Sequence, residues 1–238
     1  MRLRSLQPIC ALLVLVPALL AGCGSSSSSS SGNGVASKSA TDIVSEAKAA
    51  ADSASSVHVS GSVKSAGAPV TLDLNLSSGK GGKGEISQGG YTFKLILVGD
   101  TAYISGSSSF YKHLGGAAAV SLLAGKWLKV PVSTGEFASF SSLTDMRKLL
   151  DTTLSSNGTL QKGSTSTVGG QQAIAVTDST KGGTLYVATT GKPYPLQLSK
   201  GGSESGTISF ADWNAPVTIE APANSVDLAE LKGLGGSH

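Results

Sequence analysis

The chain has 238 residues, of which 14% are charged, and its formal net charge is +3. The longest basic cluster, Lys80-Gly81-Gly82-Lys83, is glycine-rich and typical of a hairpin turn, so nothing indicates nucleic-acid binding. With two cysteines, the chain is not a disulfide-stapled scaffold.

The N-terminus has the features of a secretory signal. Arg2 and Arg4 form a positive n-region, and residues 9–20 form an apolar run that is too short for a comfortable transmembrane span. Leu20-Ala21-Gly22-Cys23 follows and resembles a bacterial lipobox, in which cleavage precedes the cysteine and the thiol is lipidated. We therefore predict a signal peptide over residues 1–22 and a lipid anchor on Cys23. An ordinary signal peptide with a chance cysteine is the alternative.

Cleavage would change both charge and cysteine content. Arg2, Arg4 and Cys10 leave with the signal, so the charge falls from +3 by two to about +1. Cys23 then remains as the sole cysteine, and its lipidation leaves none for a disulfide. The predicted localisation is the extracytoplasmic face of the cell membrane, where two or more acyl chains on Cys23 would anchor the protein stably.

The segment after Cys23 is predicted to be a tether. Residues 23–38 are rich in serine and glycine, including seven consecutive serines over 25–31. About 15 such residues have a root-mean-square reach of roughly 20 Å. We expect one folded domain over residues 39–231 and a glycine-rich flexible tail over 232–238.

The first predicted element is a helix capped by Ser39 or Thr41 and ending at Ser55-Ser56. Its apolar positions recur at helical spacing and are small: Ile43, Ala47, Ala50 and Ala54. The pattern then changes to alternation with glycine turns, which predicts an antiparallel meander. Its strands are expected at 57–63, 70–76, 83–87, 91–98 and 101–105.

The middle of the chain is less regular. Residues 110–113 are expected to form a loop or turn, 117–123 a short helix and 126–131 a strand. The strongest helical pattern covers residues 142–154. Its apolar face is Leu143, Met146, Leu149, Leu150 and Leu154.

The C-terminal third again alternates. Strands are predicted at 159–168, 171–177, 184–188, 194–199, 206–210 and 217–220. From these twelve segments we expect roughly ten or eleven strands, against two or three helices. Ten strands laid flat span about 48 Å, whereas three helices cover about 30 Å. We therefore expect an α+β, mostly antiparallel sheet that curls around an apolar hollow partly covered by helices. A two-sheet sandwich with a dry core is the alternative.

Three segments have a distinctive sequence and order: Gly125-Lys126-Trp127-Leu128-Lys129-Val130-Pro131, the strand–turn–strand over residues 186–196, and the closing segment 206–222. Together they resemble envelope lipoproteins of the mycobacterial LppX/LprA/LprF/LprG family. The lipobox, the tether and the first helix fit as well. The resemblance implies a fold similar to the carriers LolA and LolB, an unclosed antiparallel barrel with helices across its mouth. It also implies a hydrophobic pocket for acyl chains of lipids or lipoglycans.

We find no constellation typical of an enzyme or a metal site. His58, His113 and His238 have no cysteine or second histidine at ligand spacing. Gly202-Ser203-Glu204-Ser205-Gly206 is similar to a nucleophile elbow, but it precedes a strand and is interpreted as a turn. Trp127 and Trp213 are interpreted as half-buried structural residues, with pocket walls or interface anchors as the alternative. No cofactor is expected.

The sequence therefore favours a membrane-tethered, non-enzymatic protein that binds lipid for transport or presentation. The expected pocket walls and lid are Val70, Leu72, Leu74, Leu76, Phe93, Leu95, Leu97, Met146, Leu149 and Leu150. An interaction lipoprotein with a dry core that docks an envelope protein is the alternative. A hydrolase is a third hypothesis with no catalytic constellation behind it.

Overall fold

The computed structural model describes residues 32–65, 67–132, 146–155 and 158–230. The predicted signal peptide, Cys23, the serine run, the tail and the start of the 142–154 helix lie outside these residues.

The described chain contains twelve strands and three α-helices. The strands are β1 Ser56–Ser65, β2 Ala68–Ser77, β3 Gly81–Gln88, β4 Tyr91–Val98, β5 Thr101–Gly106, β6 Trp127–Pro131, β7 Leu160–Val168, β8 Gln171–Asp178, β9 Gly183–Ala188, β10 Pro195–Lys200, β11 Gly206–Ala211 and β12 Ser225–Asp227. The helices are α1 Ala40–Asp52, α2 Ser108–Leu123 and α3 Met146–Leu154.

All twelve strands form one sheet in the order β12-β6-β5-β4-β3-β2-β1-β11-β10-β9-β8-β7. Every neighbouring pair is antiparallel except β12 and β6, which are parallel. Because β7 and β12 do not pair with each other, the sheet is curled but not closed. The predicted fold class, a mostly antiparallel unclosed sheet with helices, is confirmed.

The alternation seen in the sequence places one apolar face of the central strands, such as β2 and β4, in the core. In β2, Leu74 and Leu76 are buried whereas Asp73 is exposed. In β4, Leu95 and Leu97 are buried, and the charged Lys94 between Phe93 and Leu95 points to solvent. Successive side chains of a strand point to opposite faces of the sheet. The alternation of apolar and polar residues therefore determines which face packs against the helices.

Helices α1 and α3 pack against each other and cover the inner face of the sheet. The Ser39 hydroxyl accepts a hydrogen bond of 3.2 Å from the Asp42 N–H, which confirms Ser39 as the N-cap of α1. The buried side of α1 is small, which lets it approach α3 closely. Its buried residues are Ile43, Ala47, Ala50 and Ala51. Those of α3 are Met146, Leu150 and Leu154.

The expected loop at 110–113 is wrong, because these residues belong to α2. The Ser107 hydroxyl caps the helix by accepting from the Phe110 N–H at 3.3 Å. Phe110 and Tyr111 are buried, so the helix gains packing that its weak periodicity does not show. Gly115 and Gly116 have non-helical dihedrals and kink the helix before the predicted 117–123 segment.

The expected strand at 217–220 is also wrong. This segment has no regular secondary structure, and the last strand forms later, at β12. Pro216 and Pro222 flank the segment and lack the N–H that a ladder requires. Alternation alone therefore did not make a strand here.

The domain begins before its predicted start. Residues 33–38, which we assigned to the tether, pack against the sheet, and Val35 is fully buried. A short 3-10 turn at Val35–Ser37 leads directly to the Ser39 cap. The predicted boundary at residue 39 is thus about six residues too late.

Candidate functional site

An apolar cavity of about 160 Å³ lies between α1, the end of α3 and strands β7 to β10. Its apolar lining is Val44, Leu154, Leu160, Val176, Leu185 and Leu198. Polar groups surround it: Thr153, Ser155, Asp178, Lys181 and Lys200. An apolar interior with a polar edge is the usual composition of a site for an amphiphile.

The β8–β9 turn shapes the edge of this cavity. The Asp178 carboxylate accepts from the N–H groups of Thr180 and Lys181, both at 2.9 Å. Gly182 has φ +65°, and its N–H donates to the Asp178 carbonyl at 2.9 Å. The turn is therefore fixed by its own hydrogen bonds, and it places Lys181 at the edge.

An ion pair joins the two helices beside the cavity. Lys48 of α1 lies 2.8 Å from Asp151 of α3, and both side chains are about half exposed, at 42% and 48%. The hydrogen bond to Asp151, together with its negative charge, raises the pKa of Lys48 above the ordinary lysine value. Lys48 is one turn beyond Val44, so the pair links the helices next to the apolar lining.

The size of the cavity limits what fits in it as it stands. An engineered cavity of about 150 Å³ binds benzene, whereas drug-sized ligands occupy about 300–1,000 Å³. At 160 Å³, this cavity is close in volume to the benzene-binding one and smaller than a site for a drug-sized ligand.

The predicted wall residues lie in the main core rather than around this cavity. Leu74, Leu76, Leu95, Leu97, Met146 and Leu150 are at most 1% exposed, and Phe93 is 7% exposed. Val70, Leu72 and Leu149 are half-buried against the same core. The structure thus brings all ten together, but none of them lines the 160 Å³ cavity. Their role as ligand-binding residues stays a prediction.

Sequence reasoning missed the residues that line the cavity. Leu160, Leu185 and Leu198 lie on strands that were predicted, and Val44 lies on a predicted helix. The strand alternation marks them as inward-facing. It does not reveal which inward positions remain uncovered, because that depends on where α1 and α3 cross the sheet.

Trp213 has well-defined partners. Its indole N–H donates to the Pro195 carbonyl at 3.1 Å, and its ring stacks on Tyr194 at 4.7 Å with an angle of 6°. The Tyr194 hydroxyl accepts from Asn214 at 2.7 Å. These contacts join the segment after β11 to the start of β10, as expected for a half-buried structural tryptophan. Trp127 is also half-buried.

His58 lies on the outer face of the sheet between two carboxylates. Its Nε2 is 2.9 Å from Asp73 Oδ1, and its Nδ1 is 3.8 Å from Asp212 Oδ2. Among the residues that the structure describes, no group of three or more His, Cys, Asp and Glu side chains could hold a metal ion. These contacts therefore indicate a surface polar network.

No protein-family model matches the chain, and neither does any curated protein sequence. Solved structures do match. LprF from Mycobacterium bovis aligns with a TM-score of 0.56 at 15% identity, over 78% of this chain and 97% of LprF. The Mycobacterium tuberculosis lipoprotein LppX aligns with a TM-score of 0.50 at 18% identity, over 76% of this chain and 98% of LppX.

The fold is similar to that of these two mycobacterial lipoproteins. The resemblance stated from the sequence is therefore confirmed for the fold. Within the described ranges, no helix is long and apolar enough to cross a membrane.

Proposed function

We propose that this chain is a membrane-anchored lipoprotein that binds an acyl chain of a lipid or lipoglycan and carries or presents it in the cell envelope. The observation that carries the proposal is the apolar cavity beneath α1 and α3, at the edge of an open sheet. The likeness of fold to LprF and LppX is consistent with this role.

The proposed binding mode starts from the existing cavity. The tip of an acyl chain enters between Leu154, Leu160 and Leu198, and each enclosed CH₂ contributes about 0.8 kcal/mol. Further methylenes displace α3 and reach the predicted lid and wall residues, among them Met146, Leu149 and Leu150. The exposed Lys48–Asp151 pair is a weak restraint that such a movement would break.

The proposed anchor uses the N-terminal segment. Removal of residues 1–22 exposes Cys23, whose lipidation holds the domain on the extracytoplasmic face of the cell membrane. The protein is proposed to act without a cofactor and without catalysis. An envelope protein that delivers or receives the lipid is its proposed macromolecular partner.

Lipid co-purification tests the binding proposal. The mature chain with Cys23→Ala is produced in a lipid-containing host, extracted with organic solvent and examined by mass spectrometry. We expect Val44→Trp, which fills the cavity, to lower the amount of bound lipid at least several-fold. Ser45→Trp is the control, because Ser45 is exposed on the same helix and does not line the cavity. Equal lipid content in both variants contradicts the proposal.

The dry-core alternative is favoured by one observation. Four of the predicted wall leucines, Leu74, Leu76, Leu95 and Leu97, are at most 1% exposed, so the interior around them is already filled. In this case the protein is an envelope interaction lipoprotein. A preparation that carries no extractable lipid, and whose thermal stability is unchanged by delipidation and by added fatty acid, would establish this second function.

A further inference from the structure

The chain enters the folded domain at a fixed point. The backbone N–H of Asn33 donates to the Thr189 carbonyl at 2.8 Å. Its side-chain amide donates to the carbonyls of Ala188 and Gly191, at 3.0 and 3.1 Å, and its Oδ1 accepts from the Val35 N–H at 3.1 Å. Three hydrogen bonds thus hold this residue at the C-terminal end of β9, and the fourth is made within the entering segment. We call this end of the curled sheet the tether end.

The cavity lies at the opposite end of the same strands. Its edge includes the β8–β9 turn at Lys181 and Gly182, where β9 begins, and Lys200, where β10 ends. We call this the mouth end. β9 has six residues, and at about 3.3 Å per residue they separate the two ends by roughly 20 Å.

A cationic groove lies at the tether end. It has a volume of about 590 Å³ and is formed by the β2–β3 and β4–β5 turns and the start of α3. Among the described residues that line it, three are cationic, Lys80, Arg147 and Lys148, and one is acidic, Asp100. Anionic phosphate headgroups attract such a group of cations.

The strand register places this groove and Asn33 at one end of the sheet. The β2–β3 turn follows Ser77, which pairs with Ser56 at the start of β1. Across the neighbouring strands, the start of β1 lies beside the end of β11, the start of β10 and the end of β9. Asn33 is hydrogen-bonded at that last position.

We infer that the anchored domain docks its tether end on its own membrane, with the Lys80–Arg147–Lys148 groove against anionic headgroups and the cavity mouth facing away. This inference rests on the Cys23 anchor of the proposed function. Cys23 precedes Asn33 by ten residues, a length of chain that spans at most about 36 Å. This length keeps the whole domain within reach of the bilayer, and the cationic groove then selects the tether end as the docked one. The lipid is exchanged with something other than the anchoring membrane.

Energy transfer to the bilayer tests the orientation. Gln171 at the tether end and Ser203 at the mouth end are both exposed and neutral, and each is changed to cysteine and labelled with a donor dye. Labelling is specific because the mature chain has no cysteine besides the lipidated Cys23. The lipidated protein is reconstituted in vesicles that contain an anionic phospholipid and an acceptor dye on the headgroup. We expect higher transfer from residue 171 than from residue 203; equal or reversed transfer overturns the inference.

Two further variants isolate the causes. Asn33→Ala removes the side-chain hydrogen bonds that hold the entering chain at the end of β9. We expect the difference in energy transfer between the two labels to shrink, while the melting temperature shows that the domain stays folded.

Lys80→Gln with Lys148→Gln is compared with Lys64→Gln and Lys126→Gln, two exposed lysines at the mouth end. In the Cys23→Ala chain, we expect the first pair to weaken binding to anionic vesicles by about five-fold per lysine. The control pair leaves this binding unchanged; an equal loss in both pairs contradicts the role of the groove.

The two proposals fail separately. If no acyl chain binds but residue 171 remains closer to the bilayer, the cavity function is lost and the docking surface stands. If lipid co-purifies but the transfer efficiencies are equal, the docking surface is wrong and lipid binding stands.

Discussion

Tyr111 joins the two ends of the connection between the neighbouring strands β5 and β6, which contains α2. Its hydroxyl accepts from the Gly106 N–H at 3.0 Å and donates to the Lys126 carbonyl at 3.1 Å. Gly106 ends β5 and Lys126 precedes β6, so one side chain ties together both ends of the segment that contains α2. The residue is only 4% exposed, which leaves little water to replace either bond.

Removing that hydroxyl should destabilise the domain. We expect Tyr111→Phe to lower the free energy of unfolding by about 1–2 kcal/mol, because two part-buried hydrogen bonds, to the Gly106 N–H and the Lys126 carbonyl, are lost. Urea denaturation measures the change. Tyr103→Phe is the matched control, since its half-buried hydroxyl makes no hydrogen bond within the described part of the chain; it should change stability by less than about 0.5 kcal/mol. A Tyr111 variant as stable as the control would refute the assignment.

At the scale of elements, close backbone approach explains a glycine in the middle of β1. Gly61 has φ +152°, and a Cβ built on it would lie 2.0 Å from the Thr207 carbonyl oxygen of the neighbouring strand β11. We expect Gly61→Ala to lower the free energy of unfolding by about 2–4 kcal/mol, because β1 and β11 must separate. Gly67→Ala is the comparison, with φ +81° but nothing within 4 Å. It should cost about 1 kcal/mol, and similar losses in both variants would exclude the backbone clash.

The contact between α1 and α3 should depend on pH. The pKa of Lys48 is raised because its ammonium donates to Asp151 and is attracted by that carboxylate. A raised lysine pKa gives stability that is fully present at neutral pH and is lost as the pH rises through the folded-state value, above about 10.4.

We therefore expect Lys48→Met to destabilise the protein slightly at pH 7 and to have no effect at strongly alkaline pH. Denaturant midpoints of the wild type and the variant across this range measure the effect. Lys112→Met on α2 controls for the loss of an exposed lysine. A difference that grows with pH has the wrong sign for this ion pair.

The elements also show where sequence reasoning succeeds. The alternation of apolar and polar residues predicted the strands of the meander correctly, because its apolar positions, such as Leu74 and Leu76, are buried on one face of the sheet. It failed at 110–113, where the helix depends on the Ser107 cap and on the burial of Phe110. It failed again at 217–220, where the alternation is present but the flanking prolines limit pairing. A local sequence pattern predicts which secondary structure a segment can adopt, and its caps, flanking residues and packing partners decide whether it adopts it.

In the molecule as a whole, the ratio of strands to helices predicted the curled sheet, and the family resemblance implied that it is unclosed. Twelve strands are too wide for three helices to cover fully, and the cavity lies where α1 and the end of α3 leave strands β7 to β10 uncovered. The position and volume of that gap were not predictable. They depend on the angle at which two short helices cross the sheet, which no single residue determines.

The small cavity leads to a prediction about acyl-chain length. A short-chain fatty acid fits within 160 Å³, whereas a sixteen-carbon chain must displace α3 to be enclosed. In the delipidated Cys23→Ala chain, we expect the long acid to raise the melting temperature more, since it encloses more CH₂ groups. The same acid should speed amide hydrogen exchange in α3, while the short acid leaves exchange unchanged. Because binding and helix opening are then coupled, Val44→Trp should remove both effects and Ser45→Trp neither. Faster exchange in α3 without any rise in melting temperature would mean that the acid acts as a detergent rather than as a bound ligand.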